Sequence, residues 1–115
     1  MKNAIAAVSV FILTAMVPAF AESLTGAFGN TVNVTLPDGS SVRYYFNADQ
    51  TYSMALPDGA SISGRWEEVD GQVCTTPEGG SPSCVNAPPG RRVGDSWVQI
   101  DATGATVAVS ISAGR

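Results

Sequence analysis

The strongest constraint on the fold is a two-residue alternation of apolar and polar side chains, interrupted by turn residues. Val32, Val34 and Leu36 alternate with polar residues, and the same period continues through residues 42–46 and 52–56. This period is typical of a β-strand with one buried face. Beyond the N-terminal segment, no stretch of useful length has apolar residues at helical spacing. The sequence therefore predicts an all-β fold.

Two turns of matching sequence separate these segments. Pro37-Asp38-Gly39-Ser40 and Pro57-Asp58-Gly59-Ala60 lie 20 residues apart, which is the length of one hairpin. Proline presets φ at the first central position of a turn, and glycine tolerates a positive φ. Asp70-Gly71 is a further hairpin signal. Two copies are too few for a solenoid, so these turns predict an antiparallel meander of seven to eight short strands.

A flat sheet with one exposed apolar face and open edges would aggregate. The meander must therefore curl or fold over, which predicts a small barrel or a two-layer sandwich. The core of so short a chain is modest, and a disulfide would help to support it.

Residues 1–21 have the organisation of a secretory signal peptide. A short positive start precedes an uncharged, mostly apolar run of 14 residues, and a proline precedes small residues at Ala19 and Ala21. The alternative is a retained membrane anchor, which needs roughly 20 apolar residues to cross the bilayer. We expect cleavage after Ala21, a single domain over residues 22–115, and a bacterial periplasmic or secreted location without membrane insertion.

The two cysteines, Cys74 and Cys84, both follow the predicted signal peptide. Export would take them to an oxidising compartment, where a pair normally forms a disulfide. Their spacing differs from that of a redox Cys-x-x-Cys pair, and two thiolates without histidine make a poor zinc site. The sequence predicts a structural disulfide that closes the base of a loop rich in glycine and proline.

The charge distribution argues against several functions. After residue 21 the chain has five arginines and ten carboxylates, with no lysine and no histidine. An acidic surface repels phosphate backbones and gains nothing from anionic lipids, so we expect no nucleic-acid partner. Catalysis by Ser-His-Asp, Cys-His or Ser-Lys arrangements lacks its base. We therefore expect no enzymatic activity.

The carboxylates do not form a recognisable site either. Glu67 and Glu68 are adjacent on a predicted strand and would point to opposite faces. Calcium needs six or more oxygens, which the turns at Asp38 and Asp58 do not supply. We expect no metal and no cofactor.

Four aromatic residues fall on the inward phase of their strands: Tyr44, Phe46, Tyr52 and Trp66. Large side chains at such positions usually fill a core. The alternative is that they line a ligand cavity, as in small ligand-carrying barrels. A packed interior is the favoured interpretation for a chain this short.

Five residues form the candidate binding surface. Tyr45 lies on the outward phase of its strand, and Ser63 and Arg65 belong to segment 61–66. Arg91 and Arg92 form a basic pair that could bind a carboxylate on a partner or simply be solvated.

The order of several short motifs resembles that of small exported bacterial β-proteins of unknown function. Tyr45-Phe46 precedes an Asn/Asp turn, and Gly64-Arg65-Trp66 is followed by the Asp70-Gly71 turn, Cys74 and Cys84. The resemblance covers roughly residues 29–84 and implies no catalytic residues.

Ser61-Ile62-Ser63-Gly64-Arg65-Trp66 is also similar to the inhibitory loop of periplasmic C-type lysozyme inhibitors, which are small β-barrels. Tryptophan stands where that family has tyrosine, and the family's early cysteine is missing. This resemblance implies a loop that enters the active site of a hydrolase.

Three functions remain. The first is a non-enzymatic exported domain that binds an unknown protein or envelope component. The second is a periplasmic inhibitor of a lysozyme or protease, acting through a loop such as 61–66 or 76–92. The third is a carrier of a small ligand, which requires a cavity of about 300 Å³ or more.

Overall fold

The computed structural model of the protein describes residues 24–115. The predicted signal peptide, with Ala19 and Ala21, lies outside these residues. Within them, no helix is long and apolar enough to span a membrane. Eight strands are present: β1 (Thr31–Thr35), β2 (Ser41–Phe46), β3 (Thr51–Ala55), β4 (Ser61–Val69), β5 (Gln72–Pro77), β6 (Ser83–Asn86), β7 (Ser96–Ile100) and β8 (Thr106–Ser112).

The strands form one antiparallel sheet in the order β6-β5-β4-β3-β2-β1-β8-β7. The sheet curls until its two edges, β6 and β7, contact each other without pairing, which gives a nearly closed barrel. The prediction of an all-β antiparallel fold is confirmed, and the barrel replaces the sandwich. One step departs from a simple meander, because residues 87–95 carry the chain from one edge of the sheet to the other.

The repeated turns have matching geometry, as their sequences predict. The carboxylate of Asp38 accepts hydrogen bonds from the Ser40 backbone at 2.9 Å and hydroxyl at 2.6 Å. Asp58 accepts one from the Ala60 backbone at 2.9 Å. Gly39 and Gly59 have φ of 90° and 92°, values that side chains rarely adopt. Both turns lie at the end of the barrel that also holds turn 101–105, which we call the turn end.

The opposite end, called the loop end, contains residues 24–30 and 87–95 and is filled by large side chains. Trp66 is 8 % exposed and donates from Nε1 to the Asn47 carbonyl at 2.9 Å. Its ring contacts Phe46 edge-on at 6.2 Å between centroids and Phe28 at 5.8 Å. Ala27, only 2 % exposed, belongs to the turn that covers this end.

The backbones of β4 and β5 approach each other closely at Gly64, which pairs with Pro77. A Cβ atom at Gly64 would lie 2.1 Å from the Thr76 carbonyl oxygen and 2.7 Å from the Pro77 Cα. Glycine within a strand marks a bend or a close backbone approach of this kind.

The predicted disulfide is present. Cys74 and Cys84 face each other across β5 and β6, with their Cα atoms 4.0 Å apart. The bridge lies outside the barrel, because the neighbouring Val73 and Thr75 line the interior. It fixes the short edge strand β6 to its only paired neighbour.

Candidate ligand cavity

The interior of the barrel contains a partly open cavity of about 380 Å³. Its wall is mostly apolar and comes from nearly every strand, with contributions that include Val32, Val34, Tyr44, Phe46, Met54, Ile62, Val73, Val107, Val109 and Ile111. Phe46, Tyr52 and Trp66 are buried in the hydrophobic core, as the favoured interpretation of a packed interior predicts, and a cavity lies beside them. The alternative, in which inward aromatic residues line a cavity, describes Tyr44, Phe46 and Tyr52.

The cavity exists because large and small side chains are unevenly distributed. Tyr44, Phe46 and Tyr52 stack within 5.7–6.4 Å of one another on β2 and β3. The residues of β1 and β8 that line the cavity are mostly valines, such as Val34 and Val109, which fill less space than the aromatic side chains. Space remains between the two sets.

Two tyrosines place hydroxyl groups in this apolar wall. Burial raises the pKa of Tyr44, and the nearby Tyr52 and Asp101 raise it further. Burial also raises the pKa of Tyr52, and its hydrogen bond to Thr75 partly offsets this. Both phenols therefore stay neutral at physiological pH and can donate a hydrogen bond.

Strand β7 contributes the polar part of the wall. Trp97, Gln99 and Asp101 face the cavity, whereas Val98 and Ile100 face solvent with 66 % and 55 % exposure. The usual arrangement of apolar residues inside and polar residues outside is thus largely reversed on this edge strand. The sequence did not indicate that Gln99 and Asp101 face inward. Their neighbours Val98 and Ile100 are apolar, and apolar residues of a strand are expected to face the interior instead.

The carboxylate of Asp101 is already hydrogen-bonded to other residues of its own turn. Its Oδ1 accepts hydrogen bonds from the backbones of Thr103 and Ala105, both at 2.9 Å, and from the Thr103 hydroxyl at 2.7 Å. The hydroxyl bond, followed by the backbone bonds, lowers the pKa of Asp101. This carboxylate closes the β7–β8 hairpin in the way that Asp38 closes an earlier turn.

The predicted basic pair is divided between two environments. Arg91 is half-buried, lines the cavity, and places its guanidinium 5.0 Å from the centre of the Trp97 ring. Its Nε is buried without a hydrogen-bond partner. Arg92 is exposed, and its backbone N–H donates to Asp95 at 2.9 Å. Arg91 is thus an interior residue, which its loop sequence did not reveal.

The remaining predicted surface residues lie together on the outside of the barrel. Tyr45 and Ser63 both flank Ser53, since Tyr45 pairs with it from β2 and Ser63 from β4. Arg65 follows two positions further along β4 and is exposed. The guanidinium of Arg115 lies 5.5 Å from the centre of the Tyr45 ring and covers part of it.

The expectation that segment 61–66 forms an inhibitory loop is wrong. These residues belong to β4 and pair with β3 and β5 on both sides. A strand held in this way cannot project into another protein's active site. The only parts of segment 76–92 outside strands are residues 78–82 and 87–92.

The adjacent acidic residues after Trp66 point to opposite faces of β4, as expected. Glu67 is exposed, and Glu68 is half-buried, with its Oε2 shielded from solvent and lacking a hydrogen-bond partner. Across residues 24–115, no group of three or more histidine, cysteine or acidic side chains could hold a metal ion.

No family model, curated protein or solved structure matches this chain.

Proposed function

We propose that this protein is an exported, non-catalytic barrel that binds a small, largely apolar ligand in its interior. The cavity of about 380 Å³ carries the proposal. Binding sites for small molecules are typically cavities of roughly 300–1,000 Å³ with apolar walls and a few fixed polar groups. This cavity combines aliphatic and aromatic walls with a few groups that can fix an orientation, such as Tyr44, Gln99 and Arg91.

The predicted export and the disulfide support the assignment to the periplasm or the medium. The Cys74–Cys84 bridge is the kind of cross-link that forms and persists in oxidising compartments. It also fixes β6, whose inward Val85 forms part of the cavity wall.

The test is a titration of the purified protein with decanol, a neutral probe, followed by tryptophan fluorescence and calorimetry. Trp97 lines the cavity, so its emission should respond to occupancy. We expect saturable one-to-one binding. An absence of binding up to the solubility limit of decanol would overturn the proposal.

Matched variants locate the site. Val34→Phe and Met54→Phe add bulk inside the cavity, whereas Val98→Phe adds the same ring on the outside of β7. We expect the two interior changes to abolish decanol binding and Val98→Phe to retain it. Circular dichroism and thermal melts confirm folding, and the second interior variant keeps the test valid if the first does not fold. Binding that survives both interior changes in folded protein would place the ligand elsewhere.

A further inference from the structure

The cavity wall contains one cationic side chain. Among the lining residues that the structure describes, Arg91 is the only one with a positive charge. Its Nε is buried without a hydrogen-bond partner, and a buried donor in this state is costly to leave unpaired.

Two polar side chains of the cavity wall, Gln99 and Asp101, already accept hydrogen bonds. The side-chain oxygen of Gln99 accepts a hydrogen bond from Trp97 Nε1 at 2.6 Å. Asp101 accepts three hydrogen bonds within its turn. Asp101 also follows the end of β7, four residues from Trp97, or about 13 Å at the usual strand rise. Neither side chain is therefore placed to neutralise Arg91.

The guanidinium is also held in a definite position. It lies over the Trp97 ring at 5.0 Å, an arrangement that combines stacking with cation–π attraction. A planar guanidinium fixed in this way matches a carboxylate, which can accept two parallel N–H bonds.

The size of the cavity limits the rest of the ligand. At the roughly 30 Å³ that a water-sized group occupies, a cavity of about 380 Å³ holds about a dozen non-hydrogen groups. A straight-chain acid of about ten carbons has that number of groups. Its chain would contact aliphatic residues such as Val34, Met54 and Val107.

We infer that the ligand is a medium-chain monocarboxylate, with its carboxylate bound by Arg91 and its apolar chain in the barrel. This rests on the proposed function and deepens it. The negative net charge of the chain does not oppose binding strongly, because salt screens exposed charges beyond about 8 Å at physiological ionic strength.

The experiment compares decanoate, decanol and decylamine at neutral pH by fluorescence and calorimetry. We expect decanoate to bind at least about tenfold more tightly than decanol, as one charge-assisted hydrogen bond allows. Decylamine should bind most weakly of the three. Decyl sulfate tests the headgroup, and tighter binding of the sulfate than of decanoate would overturn the carboxylate assignment.

Arg91→Gln should lower the affinity for decanoate by at least about tenfold more than the affinity for decanol, so that the ratio of the two affinities reports loss of the carboxylate contact. Arg92→Gln is the matched control at the adjacent exposed position and should change neither affinity. Arg91→Lys keeps the charge but loses the planar fork, and it should give an intermediate preference.

The failures of the two proposals are distinguishable. If none of the probes binds, the proposed function itself is wrong. If decanol and decanoate bind equally and Arg91→Gln changes neither, the barrel binds apolar ligands but the carboxylate inference is wrong. If Arg91→Gln does not fold, Arg91→Lys serves as the test. An undiminished preference of Arg91→Lys for decanoate would overturn the bidentate contact between the guanidinium and the carboxylate.

Discussion

The two sides of the barrel differ in how their strands are paired and in which side chains face the interior. On the aromatic side, β2 to β4 are each paired with two neighbours, and Phe46, Tyr52 and Trp66 are buried between them. On the seam side, β6 and β7 are edge strands, and β7 exposes Val98 and Ile100 while Gln99 and Arg91 face inward. We therefore expect the aromatic side to contribute more to stability than the seam side, whose inward Gln99 and Arg91 are polar groups of the cavity wall.

The largest expected effect compares the two tryptophans. Trp66→Ala removes a buried ring with two aromatic contacts, and we expect it to lower the free energy of unfolding by about 3 to 5 kcal/mol. Trp97→Ala, at the half-buried cavity wall, should cost no more than about 2 kcal/mol. Urea denaturation measures both, and equal losses would contradict the division between the two sides.

The second effect concerns the seam. Replacing both Cys74 and Cys84 by alanine should lower the free energy of unfolding by about 2 to 4 kcal/mol, because the bridge restricts the unfolded chain. Hydrogen exchange should also become faster in β6 than in β2, since β6 has only one paired neighbour. Equal acceleration in both strands would show that the bridge supports the whole barrel and not the seam alone.

A smaller effect tests the close approach in the wall of the aromatic side. Gly64→Ala places a Cβ against the Thr76 carbonyl and should cost about 1 to 3 kcal/mol by overpacking. Ser63→Ala, the adjacent exposed position, should stay within about 0.5 kcal/mol of the original protein. Thermal melts compare the pair, and a neutral Gly64→Ala would mean that β4 and β5 separate without cost.

The smallest effect is the response of the turns to acid. Hydrogen bonds to neighbouring hydroxyl and backbone groups lower the pKa of Asp38, Asp49 and Asp101. Their unfolded forms therefore bind protons at higher pH than their folded forms. The stability that they contribute is fully present above the unfolded pKa, near 4, and is lost as the pH falls through the lowered folded values.

A variant with asparagine at all three positions should therefore lose less stability between pH 5 and pH 2 than the original protein, in chemical denaturation at each pH. Parallel curves for the two proteins would show that these turns do not contribute to acid sensitivity.

Much of the fold followed from the sequence because its signals are local. Alternation placed β1 to β4, and the Pro-Asp-Gly turns placed their hairpins, since proline, aspartate and glycine each act within a few residues. The pair Cys74 and Cys84 followed from spacing and predicted export. These features do not depend on what lies across the barrel.

The cavity did not follow, because it depends on which residues face each other across the interior. The sequence shows Tyr44 and Phe46 pointing inward but does not show that the valines of the neighbouring β1 and β8, such as Val34 and Val109, leave space beside them. Strand β7 also reverses the expected phase, and Arg91 reaches the interior from an irregular connection. Its proximity to Trp97 is a property of the closed barrel.

The position of the disulfide on an edge strand has a consequence for the biogenesis of the protein. Without the bridge, β6 is attached by backbone pairing alone, and its detachment would expose the edge of β5, which can then template pairing with another chain. Formation of the disulfide would then act as a safeguard against self-association. Molecules that fail to form the bridge should accumulate as oligomers joined through the exposed edge of β5.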